Sequence, residues 1–380
     1  MSTTPADREH YAEVARPSVS QRHPDDLRRR LEAWLATRTD APVVTDVRLP
    51  DTNGMSSETV LFDARWDGTD HPLVARVAPA ESTVPVFPSY DLNTQFRVMR
   101  EVGARTSVPV PDVYWSEDDP EHLGAPFFVM ARADGITPPD VMPYNFGSWV
   151  SEADDDARRD LQDASVRVLA DLHAIADPAT AFSFLPGADA DATASQALAR
   201  HVRAERDYYE WTTRTGPRSP LIERGFDWID ANMPDDTTPA VFSWGDARIG
   251  NIMYRDHRPV AVLDWEMATF GPREMDLAWM IFLHRFFEDL AETAGLDGLP
   301  DFLRLPDVAT TYTEYTGHAP RNLEFHVAYA ALRHATIMLR IHTRSVHFGQ
   351  ATAPADTDDA ILHRASLEEM LAGDYWEKLR

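Results

Sequence analysis

The sequence predicts an α+β chain in two parts, a small and mostly antiparallel β lobe followed by a larger helical lobe. Three observations carry this reading. Short β runs separated by Asn-Gly and Asp-Gly turns crowd residues 41–134. From residue 135 the apolar spacing turns helical and stays so along most of the chain. Cysteine is absent and 43% of the 380 residues are hydrophobic, so the core is held by apolar burial rather than by bridges. The expected divisions are an arm and helix over 1–40, a β-rich lobe over 41–134 and a helical lobe over 135–380.

Residues 1–20 show no apolar period and read as a loose arm. His23-Pro24-Asp25-Asp26 opens a helix, because Asp25 or Asp26 can cap it and Leu27, Leu31, Trp34 and Leu35 follow at helical spacing. Strands are expected at 43–49, 59–66 and 72–77, with turns at Asp51-Thr-Asn-Gly54 and Asp67-Gly68. A helix at 90–105 precedes two more strands, 112–116 and 126–130, joined by the acidic turn 117–122. A loop carrying Pro138, Pro139 and Pro143 leads to helices near 156–176, 192–214 and 218–232. Two β runs, 251–254 and 260–265, interrupt them. Helices resume near 274–294, 303–316, 321–346 and 364–378, and residues 350–359 read as a mobile loop.

Composition narrows the chemistry. The 62 acidic residues against 36 basic ones leave a formal charge of −26, which repels nucleic-acid backbones and anionic membrane surfaces. No uncharged apolar stretch is long enough to span a membrane, and the polar N-terminus lacks a signal-peptide core, so a soluble cytoplasmic protein is expected. Lys378 is the only lysine, which excludes Schiff-base lysines and the lysine of a P-loop from the preceding residues. Without cysteine there are no thiolate zinc sites or thiol nucleophiles. His326, His334, His342 and His347 lie on or near one helix but form no zinc pair with a Glu base, and they read as helix-face residues. Trp149, Trp211, Trp228 and Trp279 read as packing residues, with Trp279 near enough to the segment described next to line an acceptor pocket.

The informative segment runs Phe242-Ser-Trp-Gly-Asp246-Ala-Arg-Ile-Gly-Asn251-Ile-Met-Tyr254, then Val260-Ala-Val-Leu-Asp264-Trp-Glu266. Gly245 and Gly250 allow a compact loop between Asp246 and Asn251. Asn251 starts one strand of a hairpin and Asp264 ends the other, so the hairpin brings amide and carboxylate together. Mg²⁺ takes oxygen ligands of this kind and completes its shell with phosphates and waters. Asp246 then lies within reach of an incoming hydroxyl, which is the arrangement phosphoryl transfer needs. Singly, Asp246 or Asp264 is an ordinary turn or strand-end residue; the joint spacing and the flanking apolar runs favour the functional reading.

These residues resemble the catalytic block of the aminoglycoside phosphotransferase-like enzymes, a branch of the protein-kinase-like fold. The family pattern is matched by Trp244-Gly-Asp246, Asn251, Leu263-Asp264-Trp-Glu266, Gly271-Pro272 and Asp276-Leu-Ala-Trp279, and the resemblance covers roughly residues 40–345. It implies that Asp246 is the catalytic base, that Asn251 and Asp264 hold Mg²⁺, and that Asp276 anchors the loop. It implies ATP bound between the lobes. Asn53-Gly-Met-Ser56-Ser57-Glu-Thr59 would be the loop over the phosphates, and Arg76 would stand where kinases keep a lysine. Backbone groups of Ala131 and Ala133 would bond the adenine. In Leu169-Ala-Asp-Leu172-His173, the histidine reads as a packed core residue. Two positions depart from the family: Trp244 replaces the usual His, and Gln95 stands where relatives pair a Glu with the strand cation. Asp91, one turn earlier, is a candidate substitute for that Glu.

The expectation is therefore an ATP- and Mg²⁺-dependent phosphotransferase acting on a hydroxyl of a small molecule. The resemblance leaves aminoglycoside, hydroxyacyl, sugar and amino-alcohol acceptors open, and the Leu-Asp-Trp-Glu-Met-Ala wording resembles the branch associated with hydroxyacyl substrates. Gln95 and Trp244 motivate an alternative, a nucleotide-binding pseudokinase acting as an interaction module. A metal-dependent hydrolase using the same carboxylates is a third.

Overall fold

A computed structural model describes residues 22–50, 57–79, 84–141 and 143–379. Two compact units result. The first comprises Met1–Gly103 and Pro111–Ala133, the second Ala104–Val110 and Asp134–Arg380.

Among the described residues, the first unit is a five-stranded antiparallel sheet with two helices. Helix α1 (Pro24–Leu35) packs against β1 (Val43–Arg48), which is followed by β2 (Glu58–Trp66) and β3 (Thr69–Val77). After α2 (Leu92–Arg105) come β4 (Val113–Glu117) and β5 (Phe127–Ala131), and the spatial order is β1-β2-β3-β5-β4. Along β2 buried and less buried residues alternate, with Val60, Phe62 and Ala64 on the core face. The β2–β3 turn has positive φ at both Asp67 and Gly68, the backbone a tight two-residue hairpin demands and the pair of residues that tolerates it. Trp34 closes the core beneath α1, edge-on to Phe127 at 4.8 Å, and donates its Nε1–H to Glu117 at 3.0 Å.

The second unit is helical around two short β pairs. Its elements include α3 (Asp155–His173), α4 (Ala194–Thr213), α5 (Pro220–Asn232), β6 (Val241–Ser243), β7 (Ile252–Arg255), β8 (Arg258–Val262), β9 (Thr269–Gly271), α6 (Glu274–Thr293), α7 (Leu305–Thr316), α8 (Leu323–His347) and α9 (Arg364–Ala372), with a single helical turn at Pro178–Ala181 between α3 and α4. Side chains satisfy free N–H groups at the start of α3 and α4: Asp154 caps α3, and Thr193 and Gln196 form a capping box on α4. Helices α6 and α8 pack together through long buried faces, and α8 also contacts α4, α5 and α9. Among the described residues, no helix is long and apolar enough to cross a membrane.

Several local expectations shift. The second β run stops at Val262, and β9, which pairs antiparallel with β6, was not expected. The last helix ends at Ala372, because Gly373 takes φ +90° and closes it; a 3₁₀ turn, Trp376–Leu379, follows. The 350–359 segment is pinned at its end. Asp358 is buried and accepts from Ser219 Oγ at 2.5 Å and Leu221 N at 3.2 Å, so it caps α5 from a distance.

Candidate active site

Strand β6 delivers the chain into Trp244-Gly245-Asp246, and a 3₁₀ turn (Ile249–Asn251) carries it into the β7–β8 hairpin. Gly245 has φ +89°, and a Cβ there would stand 2.1 Å from the Met267 carbonyl oxygen, so only glycine fits. At Gly250 a Cβ would meet Asp140 Oδ1 at 2.5 Å and Arg248 Nη1 at 2.6 Å, which explains the second glycine. Ile252 pairs with Val262 in the hairpin, and Leu263 N donates to Asn251 O at 2.9 Å. Asp264 therefore follows directly on the residue paired with Asn251. It takes φ +56°, a left-handed conformation that is strained for a residue with a Cβ. The Trp244 indole steadies it, donating to Leu263 O (3.1 Å) and Asp264 O (3.0 Å).

The Asp246 carboxylate is held by three side chains. Oδ1 accepts from Trp279 Nε1 at 2.7 Å, and Oδ2 accepts from Asn251 Nδ2 at 2.6 Å and Arg248 Nε at 3.2 Å. Because Asn251 spends its Nδ2 on Asp246, its Oδ1 is the atom left to face a cation. Arg248 also reaches Asp140 Oδ2 at 2.5 Å. Burial pulls the Arg248 pKa down, but the carboxylates of Asp246, Asp140 and Asp264 outweigh it and hold the guanidinium firmly charged.

Asp276, on the first turn of α6, anchors the loop. Oδ1 accepts from Ser243 Oγ (2.8 Å) and Gly245 N (2.9 Å), and Oδ2 from Trp244 N (2.8 Å) and His173 Nε2 (3.1 Å). Burial raises its pKa, yet the His173, Gly245 and Ser243 donors prevail and hold the carboxyl below the usual value. His173 also bonds the Tyr312 hydroxyl through Nδ1 at 2.8 Å, so it links α3, α6 and α7.

The remaining sequence candidates lie in the first unit. Thr59 and Arg76 face each other across β2 and β3, and Arg76 Nη1 donates to Thr59 Oγ1 at 3.3 Å. Ser57 is buried, with an Oγ that has no hydrogen-bond partner. Ser56 and the preceding Asn53-Gly54 turn lie outside the described residues. Gln95 is buried on α2. Asp91 caps that helix, accepting from Thr94 N at 2.8 Å on Oδ1 and from Thr94 Oγ1 at 2.7 Å on Oδ2. Ala131 donates its N–H to Asp112 O at 2.8 Å; Ala133 ends the unit.

Sequence reasoning missed Arg248, Asp140 and the contact from Trp279. Arg248 lies two residues beyond Asp246, and Trp279 follows Asp276 by three, on the same helix face, so both carried a local signal. Asp140 is 108 residues from Arg248 and carried none. Among the described residues, no three His, Asp or Glu side chains converge as a metal cage. A carboxylate and an amide oxygen are nevertheless hard donors of the kind Mg²⁺ takes beside phosphate and water.

Residues 49–306 match the model of the phosphotransferase enzyme family. A curated Arabidopsis thaliana relative, named "Probable acyl-CoA dehydrogenase IBR3", is 26% identical over 79% of this chain and 36% of its own length. The chain spans about a third of the length of the curated relatives it matches first. Among solved structures, a Ralstonia eutropha JMP134 protein provisionally assigned as an aminoglycoside phosphotransferase superposes with a TM-score of 0.62 at 20% identity, over 92% of this chain and 98% of the other. The aminoglycoside phosphotransferase APH(4)-Ia, solved with ADP and hygromycin B, gives 0.55 at 15% identity, over 90% and 98%. The fold is thus that of the kinase-like phosphotransferases.

Proposed function

The chain belongs to the phosphotransferase enzyme family, and from that premise we propose that it transfers the γ-phosphoryl group of ATP to a hydroxyl of a small molecule. The observation that carries this reading is the convergence of Asp246, Asn251 and Asp264 on one loop and hairpin, with Asp246 and Asn251 2.6 Å apart and Asp276 locking the loop behind them.

In this reading residues 41–134 bind the nucleotide. Ser56, Ser57, Thr59 and Arg76 take its phosphates, Gln95 lies behind them, and the backbone of Ala131 and Ala133 meets the adenine. Residues 135–380 hold the catalytic groups and the acceptor. Asn251 Oδ1 and the Asp264 carboxylate would hold Mg²⁺, which when bound neutralises phosphate charge. Asp246 accepts the hydrogen bond of the acceptor hydroxyl and orients its oxygen at the γ-phosphorus. As the new P–O bond forms, the bond to ADP breaks and the acceptor proton passes to the Asp246 carboxylate. Arg248 stays charged beside Asp246 and fixes the side of the carboxylate it faces.

The acyl-CoA in the names of the curated relatives agrees with an acyl-type acceptor, for which a hydroxyacyl compound is the probe, and the bound hygromycin B of the solved relative favours an aminoglycoside. ADP release across a panel of both classes tests the proposal. Asp246→Ala should lower turnover about a hundredfold or more while ATP still raises the melting temperature. Wild-type turnover in that variant refutes the mechanism. The neutral Gln95 favours a second reading, a nucleotide-binding module, which predicts Mg²⁺-dependent stabilisation by ATP with no turnover on any acceptor.

A further inference from the structure

Three tryptophans surround the loop, and they use their indole N–H groups differently. Trp244 donates to the carbonyls of Leu263 and Asp264, and Trp265 donates to Val262 O at 3.1 Å. Backbone carbonyls of this kind satisfy a packed indole. Trp279 donates instead to the carboxylate of Asp246, at 2.7 Å. Its ring is 2% exposed, and one face carries the Arg333 guanidinium, 4.4 Å from the ring centroid.

Arg333 is itself 2% exposed. Its Nε reaches Glu205 Oε1 at 3.3 Å, and its buried Nη2 has no hydrogen-bond partner. A buried guanidinium satisfied this incompletely is expensive to keep, so its position over the indole calls for a reason beyond packing. A cation above an indole face draws electron density from the ring and strengthens the N–H as a donor. Glu205 on α4, Arg333 on α8 and Trp279 on α6 thus form a chain that ends on one oxygen of Asp246.

We propose that Trp279 is a positioning residue for Asp246, and that Arg333, stacked on its face, sets the strength of that contact. The pair fixes Oδ1 from the side opposite Arg248 and Asn251, so the carboxylate cannot rotate and its remaining lone pair stays aimed at the acceptor hydroxyl. The inference rests on the phosphotransfer reading for its kinetic consequence, whereas the contact itself can be tested without turnover.

The ten tryptophans give ten indole N–H signals in a ¹⁵N-correlated NMR spectrum, and Trp279→Phe identifies one of them. In Asp246→Asn that signal should move upfield more than any other. In Arg333→Met it should move in the same direction, and in Arg333→Lys, which keeps a cation, it should move less. A Trp279 signal unmoved by Asp246→Asn overturns the proposal. In steady-state assays of ADP release, Trp279→Phe should lower kcat about ten- to a hundredfold, with KM for ATP changed by less than about twofold. A general loosening of the unit would instead change both. If Asp246→Ala is inactive and Trp279→Phe turns over at the wild-type rate, this inference fails and the phosphotransfer reading stands. If Asp246→Ala keeps the wild-type rate, the phosphotransfer reading itself fails.

Discussion

Replacing Asp276 by Asn exchanges one oxygen for an amide nitrogen in a side chain that is 1% exposed, and the shape is otherwise kept. In the wild type each oxygen accepts two donors, one of which is a backbone N–H: Gly245 on Oδ1 and Trp244 on Oδ2. The Ser243 hydroxyl and the His173 ring have some freedom to reorient, but the backbone groups have none. Whichever way the new amide turns, one buried N–H faces another donor and loses its acceptor, at about 1–3 kcal/mol. The remaining bonds lose their charge assistance as well, so the total is about 3–5 kcal/mol. Urea unfolding followed by tryptophan fluorescence measures it as a lowered midpoint for the transition of the second unit. The lesion also frees the loop that aims Asp246, and turnover should fall about a hundredfold.

The pH dependence adds a control with a definite sign. The folded Asp276 pKa lies below its unfolded value, so its stabilisation is present above the usual carboxylate range and is lost as pH falls through the folded value. Wild type and Asp276→Asn should therefore converge in stability under acid. A destabilisation below about 1 kcal/mol at neutral pH, or a difference that grows on acidification, refutes the anchoring role.

Three other perturbations are diagnostic. Gly245→Ala forces a Cβ against the Met267 carbonyl at positive φ; it should destabilise by more than about 2 kcal/mol in the same urea assay and abolish turnover. Asp264→Ala removes the carboxylate proposed for Mg²⁺, and the Mg²⁺ concentration needed for stabilisation by ATP should rise by more than about tenfold in thermal-shift titrations. Asp358→Ala uncaps α5 from outside the site; it should lower stability by about 2 kcal/mol while leaving kcat and the KM for ATP unchanged.

What the sequence determined by itself is whatever short chain separations constrain. Asp67-Gly68 specifies a tight hairpin because few residue pairs accept two positive φ values, and β2 and β3 follow in register. Asp246, Asn251 and Asp264 were legible as one group because a glycine-flanked loop and a hairpin leave their backbones few ways to separate. The fixed end of the 350–359 loop was not legible because Asp358 finds its partners 137 and more residues away, at the start of α5. Tertiary structure alone decided the side-chain contacts that depend on how helices are rotated against each other. The bond from Asp140 to Arg248, the place of His173 between Asp276 and Tyr312, and the stack of Arg333 on Trp279 are all of this kind. Helical periodicity says which residues share a face, but the neighbour that face meets is chosen by packing across the whole unit. Trp279 shows both limits: its spacing from Asp276 put it on the right face, and only the packing of α6 against the loop aimed its N–H at Asp246 Oδ1.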